Sequence, residues 1–411
     1  MENAANTTVV SDCEICGAQA LPTVLSLGRH PLCDDLVPVG SKRSPAEYPI
    51  EVLWCSECGT AHQKFQVPKA HLFPPDYHYR ARFTANVLNG MRELVESCEA
   101  ELGTLQGKVV LDVGCNDGSL LSVFREKGAN TIGVEPTDAY IDARAAGHHV
   151  VNSFFSRETA EHLIAEHGYP DIVTFTNVFA HIENLPLLLD ALRVILGAHT
   201  TLVIENHYLG SVLDKGQFDT FYHEHPRTYS LNSFVHIARQ LDRRIVSFAF
   251  PARYGGNVRV FIALGESAIN SEIDAAIDQH VSSETDFGER LKDMERRVQE
   301  WSTKKRSAIL ALVKEHGSLP AKSFPGRAAI LIKLLGLTER EILAVHEKPG
   351  SMKIGHFVPG TRIPIRSDDE MSLQSPVMLN LAWHISDEIT NYLKERGFTG
   401  EIINIYSPSE L

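Results

Sequence analysis

Three groups of residues have the types and spacing to do chemistry. The first is a pair of C-x-x-C knuckles, Cys13-Glu-Ile-Cys16 and Cys55-Ser-Glu-Cys58, each followed by a glycine, Gly17 or Gly59. Four thiolates can close a tetrahedral zinc site, and the short spacing lets backbone N–H groups point at sulfur. A redox dithiol needs one such pair beside a βαβ unit. Two knuckles therefore point to structural zinc on Cys13, Cys16, Cys55 and Cys58, with no coordination position left open for catalysis. His30 and His62 lie near the knuckles but are not needed as ligands. Cys33, Cys98 and Cys115 have no partner in the sequence and read as core residues.

The second group is the turn in Lys108-Val-Val-Leu-Asp-Val-Gly-Cys-Asn-Asp-Gly-Ser-Leu120. A near-continuous apolar run suggests a parallel strand covered on both faces, and Gly114 and Gly118 bracket a bend where backbone can approach a ligand. A dinucleotide enzyme would show G-x-G-x-x-G here. The spacing is instead Asp112-x-Gly114-x-Asn116-x-Gly118, and the next apolar strand ends in Glu135, an acid placed to accept hydrogen bonds from both hydroxyls of a ribose. Glycines rimmed by acids suit a cationic adenosine better than a pyrophosphate. The third group is Phe218-Asp-Thr-Phe-Tyr-His-Glu-His-Pro226, where Tyr222, His223, Glu224 and His225 are consecutive. Two histidines flanking one glutamate cannot share a helix face as H-E-x-x-H requires. General acid and base work fits better, since histidine titrates near neutrality.

The elements that must position these residues read as alternating strands and helices. Strands are expected at 108–112, 131–135, 149–152, 171–176 and 200–205, which predicts a doubly wound parallel sheet with its ligands beyond the carboxyl ends of the strands. Two loops fall there, Asn177-Val-Phe-Ala-His181 and Glu205-Asn-His-Tyr208. Before the sheet, Phe73-Pro-Pro-Asp-Tyr-His-Tyr-Arg80 crowds prolines and aromatics ahead of a helix expected from about 83 to 101, so Tyr77, His78, Tyr79 and Arg80 could line a pocket or pack a linker. A glycine-led strand is expected at 254–262. Phe287, Leu291, Met294, Val298 and Trp301 then give a long helix one apolar stripe, read as a packing face between domains rather than a coiled-coil seam. A second α/β unit follows, with strands at 342–345, 376–381 and 401–406 and a helix at 386–396. Between them, Gly355 to Ile365 is a loop with Lys353, His356 and Arg362 that could hold a phosphate or simply connect. The expected division is 1–70 for zinc, 71–250 for the adenosyl ligand and 251–411 for a second Rossmann-like unit.

At 411 residues the chain can hold two or three domains. A net charge of −13 argues against nucleic acid or anionic lipid as a partner, because both require clustered Lys and Arg. No apolar run reaches the ~18 residues of a membrane span, and the first ten residues lack the basic and apolar parts of a signal peptide. With seven cysteines, an odd number, a reducing compartment is expected, so the protein reads as cytoplasmic, and a monomer is favoured.

The D-x-G-x-N-x-G turn resembles the first motif of class I S-adenosylmethionine-dependent methyltransferases. That likeness implies that Asp112, Gly114, Asn116 and Gly118 hold the methionine part, with Glu135 on the ribose and Asn177 beside them. Over nearly the whole chain, the four-cysteine ribbon, this core, N-V-F-A-H, F-D-T-x-Y-H-E-H, G-G-x-x-R-V and P-G-T-x-I-P-I together resemble the nucleotide-sugar C-methyltransferases, which methylate carbon in 4-keto deoxysugars. The resemblance implies that His225 removes the proton next to the ketone, with Tyr222, Glu224, His181, Tyr77 and Tyr79 around the sugar, and that no metal takes part in the reaction.

The last third departs from the family pattern. Where relatives carry Y-G-A-A-A-K-G this chain has Ser323-Phe-Pro-Gly-Arg-Ala-Ala329, an aspartate is replaced by His346, and L-A-W-N becomes Leu381-Ala-Trp-His384. The resemblance places the nucleotide end of the substrate in this unit, so these changes bear on which carrier is bound. An O- or N-methyltransferase with the same adenosyl site, or a binding protein that keeps the fold without catalysis, are the competing readings.

Overall fold

The computed structural model describes residues 7–75, 77, 79–83, 85–265 and 271–411. At its centre, the strand Val109–Val113 sends Leu111 and Val113 to one buried cluster with Phe175 and Leu188, and Val110 to another with Leu94 and Phe124. Burial on both faces explains its apolar run, broken only by Asp112. The strands Asn130–Val134 and Ile172–Thr176 flank it in parallel. The full order across the sheet is Arg244–Ala249, Asn257–Ala263, Thr201–His207, Ile172–Thr176, Val109–Val113, Asn130–Val134 and His149–Val151. Chain order reverses at Val109–Val113, and such a switch point leaves a crevice beyond the strand ends.

Beyond the five parallel strands, which follow the expected pattern, two strands at one edge are antiparallel. Asn257–Ala263 runs antiparallel to Thr201–His207, and Arg244–Ala249 antiparallel to Asn257–Ala263. The connection between these last two is too short for a crossover helix, and a short connection permits only antiparallel pairing.

The N-terminal unit is an antiparallel sheet of Thr23–Pro31, Glu47–Cys55 and Thr60–Gln63, completed by Arg227–Tyr229 from far along the chain. That last strand starts just after His225. The C-terminal unit is a five-stranded parallel sheet in the order Ile365–Ser367, Ile342–Glu347, Leu319–Lys322, Val377–Asn380, Glu401–Asn404, so it too is doubly wound, with its own switch point at Leu319–Lys322.

The helix Phe287–His316 joins these units. Its stripe of Phe287, Leu291, Met294, Val298 and Trp301 is buried in one cluster with Leu25 and Ile50 of the first sheet, Leu319 of the last sheet and Ile330 of the helix Ala328–Leu334. The stripe is therefore a packing face within the chain. The loop from Gly355 to Ile365 is a connection too. His356–Phe357 pairs with Val37–Pro38, Arg362 donates to the carbonyls of Ser41, Lys42 and Arg43, and Lys353 donates to that of Phe324. Among the described residues, no helix is long and apolar enough to cross a membrane.

Candidate active site

The crevices of the two parallel sheets open onto one cavity of about 660 Å3. Its lining includes Gly114, Asn116, Glu135, Asn177 and His207 from the central sheet and the turns at its strand ends, His181, Tyr222, Glu224 and His225 from the segments beyond it, and Arg327 and His384 from the C-terminal unit.

At the first crevice, Gly114 adopts φ of 75°, and a Cβ there would lie 2.6 Å from Val178, so only glycine lets the loop after Ile172–Thr176 come this close. Asn116, also left-handed at φ of 48°, donates its backbone N–H to Glu135 at 2.9 Å. Glu135 further accepts from the N–H and hydroxyl of Thr137 at 2.9 and 2.6 Å, and burial holds its carboxyl above the usual range. Asp112 is buried beside it, bonded by the Thr174 hydroxyl at 2.7 Å and pushed up to about 7 by burial. Asn177 has φ of 53° and accepts from Asn257 at 3.3 Å. Gly118 does not line the cavity. It caps the helix Ser119–Glu126 with φ of 77°, and a Cβ would meet His148 and Ala143 at 2.9 and 3.0 Å, so it serves helix packing.

The Asn116 side chain also accepts from the Ala81 N–H at 3.0 Å and donates to the Tyr79 carbonyl at 3.2 Å, while Asp117 accepts from the Arg82 N–H at 2.9 Å. These bonds lay the aromatic segment across the glycine turn and bring Tyr77 and Tyr79 to the cavity. Arg80 is held by Asp142 and by the carbonyls of Tyr77 and Tyr79 instead of facing the cavity, and His78 lies outside the described residues.

Beyond the sheet, the His225 ring lies against Tyr222, His181 and His207, with centroid separations of 4.3, 4.8 and 5.3 Å. Its Nδ1 is 3.0 Å from the Thr220 carbonyl oxygen. Burial, reinforced by the neighbouring histidines, holds it well below the ordinary histidine value, so it is a neutral imidazole. Nδ1 of His181 is 2.6 Å from the Glu224 carbonyl. The Glu224 carboxyl accepts from the Tyr77 hydroxyl at 3.3 Å, and burial with nearby Asp34 raises it well above the carboxylate range. His223 takes the opposite direction, packing on Tyr48 with Nε2 3.1 Å from that residue's carbonyl. It does not line the cavity.

His207, Arg253, Arg327 and His384 also line the cavity; the sequence marked His384 and the segment holding Arg327 only as departures at the nucleotide end, and gave His207 and Arg253 no role. His207 ends the strand Thr201–His207, in the segment 205–208 that the strand pattern had already placed at the crevice. Arg253 pairs with the buried Glu205, which Arg259 also engages at 2.7 Å. Arg327 stacks on Trp383, lies 3.4 Å from Asp219 and donates to the Thr220 hydroxyl at 3.3 Å, so the C-terminal unit grips the same two residues that precede the Tyr222 to His225 run. In contrast Lys322, at the second switch point, is wholly buried against Asp368 at 2.8 Å and faces no ligand space.

The zinc knuckles meet as expected. The ligand atoms of Cys13, Cys16, Cys55 and Cys58 all lie within 4.8 Å of one another. Cys13 and Cys58, and Cys16 and Cys55, are each 3.4 Å apart between sulfurs, close to the edge of a tetrahedron built on zinc–sulfur bonds of about 2.3 Å. The donor set and its closeness fit zinc. Around it, the backbone N–H of Ile15 and of Cys16 point at Cys13, and the hydroxyl of Thr60 lies 3.1 Å from Cys58. Nε2 of buried His62 is 3.4 Å from Cys13, an outer contact that steadies a thiolate rather than a fifth ligand.

Comparison with known proteins gives this geometry its context. Residues 13–73 match a zinc binding domain, 83–247 a methyltransferase domain and 252–405 a C-methyltransferase C-terminal domain. The C-methyltransferase NovU of Streptomyces niveus is 27% identical over 398 residues, spanning 94% of this chain and 93% of its own. An uncharacterized protein of Haemophilus influenzae is 28% identical over 114 residues, 26% of this chain and 45% of its own. Among solved structures, a magnesium protoporphyrin IX methyltransferase from Synechocystis is 15% identical over 44% of this chain and 84% of its own, with a TM-score of 0.34. The doubly wound sheet and the matched domain define a class I S-adenosylmethionine-dependent methyltransferase. A zinc-binding domain precedes that core and a C-methyltransferase C-terminal domain follows it, an order that the match to NovU spans.

Proposed function

We propose that this enzyme methylates the carbon next to the ketone of a 4-keto deoxysugar carried on a nucleotide, with units at 1–70, 71–250 and 251–411 supplying zinc-bound structure, cofactor binding and substrate binding. The observation that carries the reading is the His225 ring, oriented by the Thr220 carbonyl at 3.0 Å and packed against Tyr222 and His181 in the same cavity as the Glu135 crevice. Carbon next to a ketone becomes nucleophilic only after its proton leaves, so a base is the first requirement. A well-placed base contributes about 10²–10⁴-fold.

S-adenosylmethionine supplies an electrophilic methyl group when bound. Gly114 and Asn116 would cradle its methionine part with Asp112 and Asn177 alongside, and Glu135 its ribose. His225 takes the carbon-bound proton, while the Tyr222 hydroxyl would donate to the oxyanion that develops. Glu224, kept uncharged by burial, bonds Tyr77 and avoids placing a full negative charge beside that oxyanion. His181 and Tyr79 complete the sugar's surroundings. Arg327 and His384 form the wall where the phosphate-bearing end fits, a guanidinium suiting phosphate oxygens.

Incubation with methyl-labelled S-adenosylmethionine and a panel of 4-keto nucleotide sugars tests the reading. Label on carbon, located by NMR, is the expected result. Label on oxygen or nitrogen, or none with any 4-keto sugar, would sink it.

A further inference from the structure

At the edge of the central sheet, away from the cavity, the strand His149–Val151 begins beside the end of the helix Arg157–His167. There His149, Glu166 and His167 each offer a ligand atom, all within 4.8 Å of one another. The two imidazole rings are edge to face at 4.7 Å, and Glu166 Oε1 lies 3.7 Å from His167 Nε2. That Nε2 is shut off from water and has no hydrogen-bond partner, which is costly for a polar atom unless something else satisfies it.

We propose that His149, Glu166 and His167 form a second metal site, for a divalent transition ion of the zinc and copper kind. Two imidazoles and a carboxylate are the nitrogen and oxygen donors such ions prefer, with bonds of about 2.0–2.2 Å. Ligand atoms on one such ion lie about 3.3–3.5 Å apart, so small side-chain rotations close the present spacing. His149 and Glu166 are exposed, which makes those rotations easy and leaves a fourth position for water. The ion would tie the first residue of an edge strand to the last turn of the helix that follows it. Its chemistry differs from that of the cysteine site, since hard carboxylate and imidazole replace four thiolates.

The test uses the full chain with its cysteine-bound zinc in place. Loosely held ions are removed by gel filtration in metal-free buffer, and Zn2+ or Cu2+ is titrated in by calorimetry, with total metal counted by mass spectrometry. One further ion per chain is expected, with Cu2+ tighter than Zn2+ as the general order of divalent affinities requires. His149→Ala and His167→Ala should each weaken it at least tenfold, and exposed His199→Ala should leave it unchanged. X-ray absorption of the added ion should show nitrogen and oxygen neighbours only. No ion beyond the cysteine-bound one, equal titration of wild type and both alanine variants, or sulfur around the added ion would each overturn the proposal.

Discussion

Nδ1 of His225 lies 3.0 Å from the carbonyl oxygen of Thr220. A carbonyl can only accept, so the proton of the neutral ring sits on Nδ1 and the basic lone pair on Nε2. One backbone contact thus fixes which nitrogen can act. Because Arg327 holds the hydroxyl of the same Thr220, the C-terminal unit helps set the orientation of a base in the central one.

His225→Ala should bind both ligands within a few-fold of wild type and lose turnover by about 10²–10⁴, the range for a general base. The loss should extend to exchange of the substrate's carbon-bound hydrogen with deuterated water, measured by NMR without methyl donor. Since burial lowers this histidine, its protonation falls below the ordinary value of about 6.5. Activity should therefore stay level as pH falls through 6.5 and drop only at more acid pH. Wild-type exchange in His225→Ala would move the base to His181 or His207, which also face the cavity beside it; His223, turned toward Tyr48, is not available for that role.

Glu135→Ala should weaken S-adenosylmethionine binding by roughly 1–3 kcal/mol, the worth of hydrogen bonds to a charged group. The effect has two parts, because Glu135 also anchors the N–H of Asn116, whose side chain supports the segment carrying Tyr79. Calorimetry on Glu135→Ala and Asn116→Ala separates them. Loss in the first variant with none in the second assigns the effect to the ribose contact; no loss in either would show that the cofactor lies elsewhere.

The parts of this design that were legible in the sequence are those written in local patterns. Val109 to Val113 is apolar on both faces because both faces are buried, and the paired knuckles are a fixed spacing. Arg227–Tyr229 was not legible, since three residues are too few to show alternation and its partner strand lies far back in the chain. Arg244–Ala249 begins with an arginine and carries a serine, and its antiparallel direction follows from a connection length, not from its own residues. The cavity wall was hidden for another reason. His207, Arg327 and His384 come from three segments far apart in the chain and meet only in the folded protein. Gly118 shows the converse, a glycine correctly seen as special but required by Ala143 and His148 rather than by a ligand.

The zinc knuckle and the base are mechanically joined. Arg227, two residues beyond His225, donates to Glu14 inside the first knuckle at 2.6 Å and to Tyr229 at 3.0 Å, with its side chain fully buried. Cys55→Ser should release the metal, whose binding at such sites is itself folding free energy. We expect a lower melting temperature and a fall in kcat, with cofactor affinity changed much less because the Gly114 turn belongs to a different sheet. Wild-type zinc content in Cys55→Ser, or loss of zinc with kcat unchanged, would break this link.

Asp112 should make the ligand-free protein less stable as pH rises. Its carboxyl is pushed up to about 7, chiefly by burial and further by the charge of Glu135, against the lowering effect of the Thr174 hydroxyl. In the unfolded chain it ionises near 3.9. Between these values the folded state holds a proton that the unfolded state has lost, so stability falls with increasing pH across about 4 to 7 and levels off above. Three pH units correspond to a few kcal/mol as an order of magnitude. Asp112→Asn keeps an oxygen for the Thr174 hydroxyl and removes the ionisation. Glu135, raised in the same direction by burial, stays in both proteins, so the comparison isolates Asp112. Melting temperatures taken from pH 4.5 to 8 without ligand should fall more steeply for wild type than for Asp112→Asn, the variant being the more stable at pH 8. Parallel curves would mean that Asp112 ionises at its ordinary value, and that the crevice floor is wetter than its burial implies.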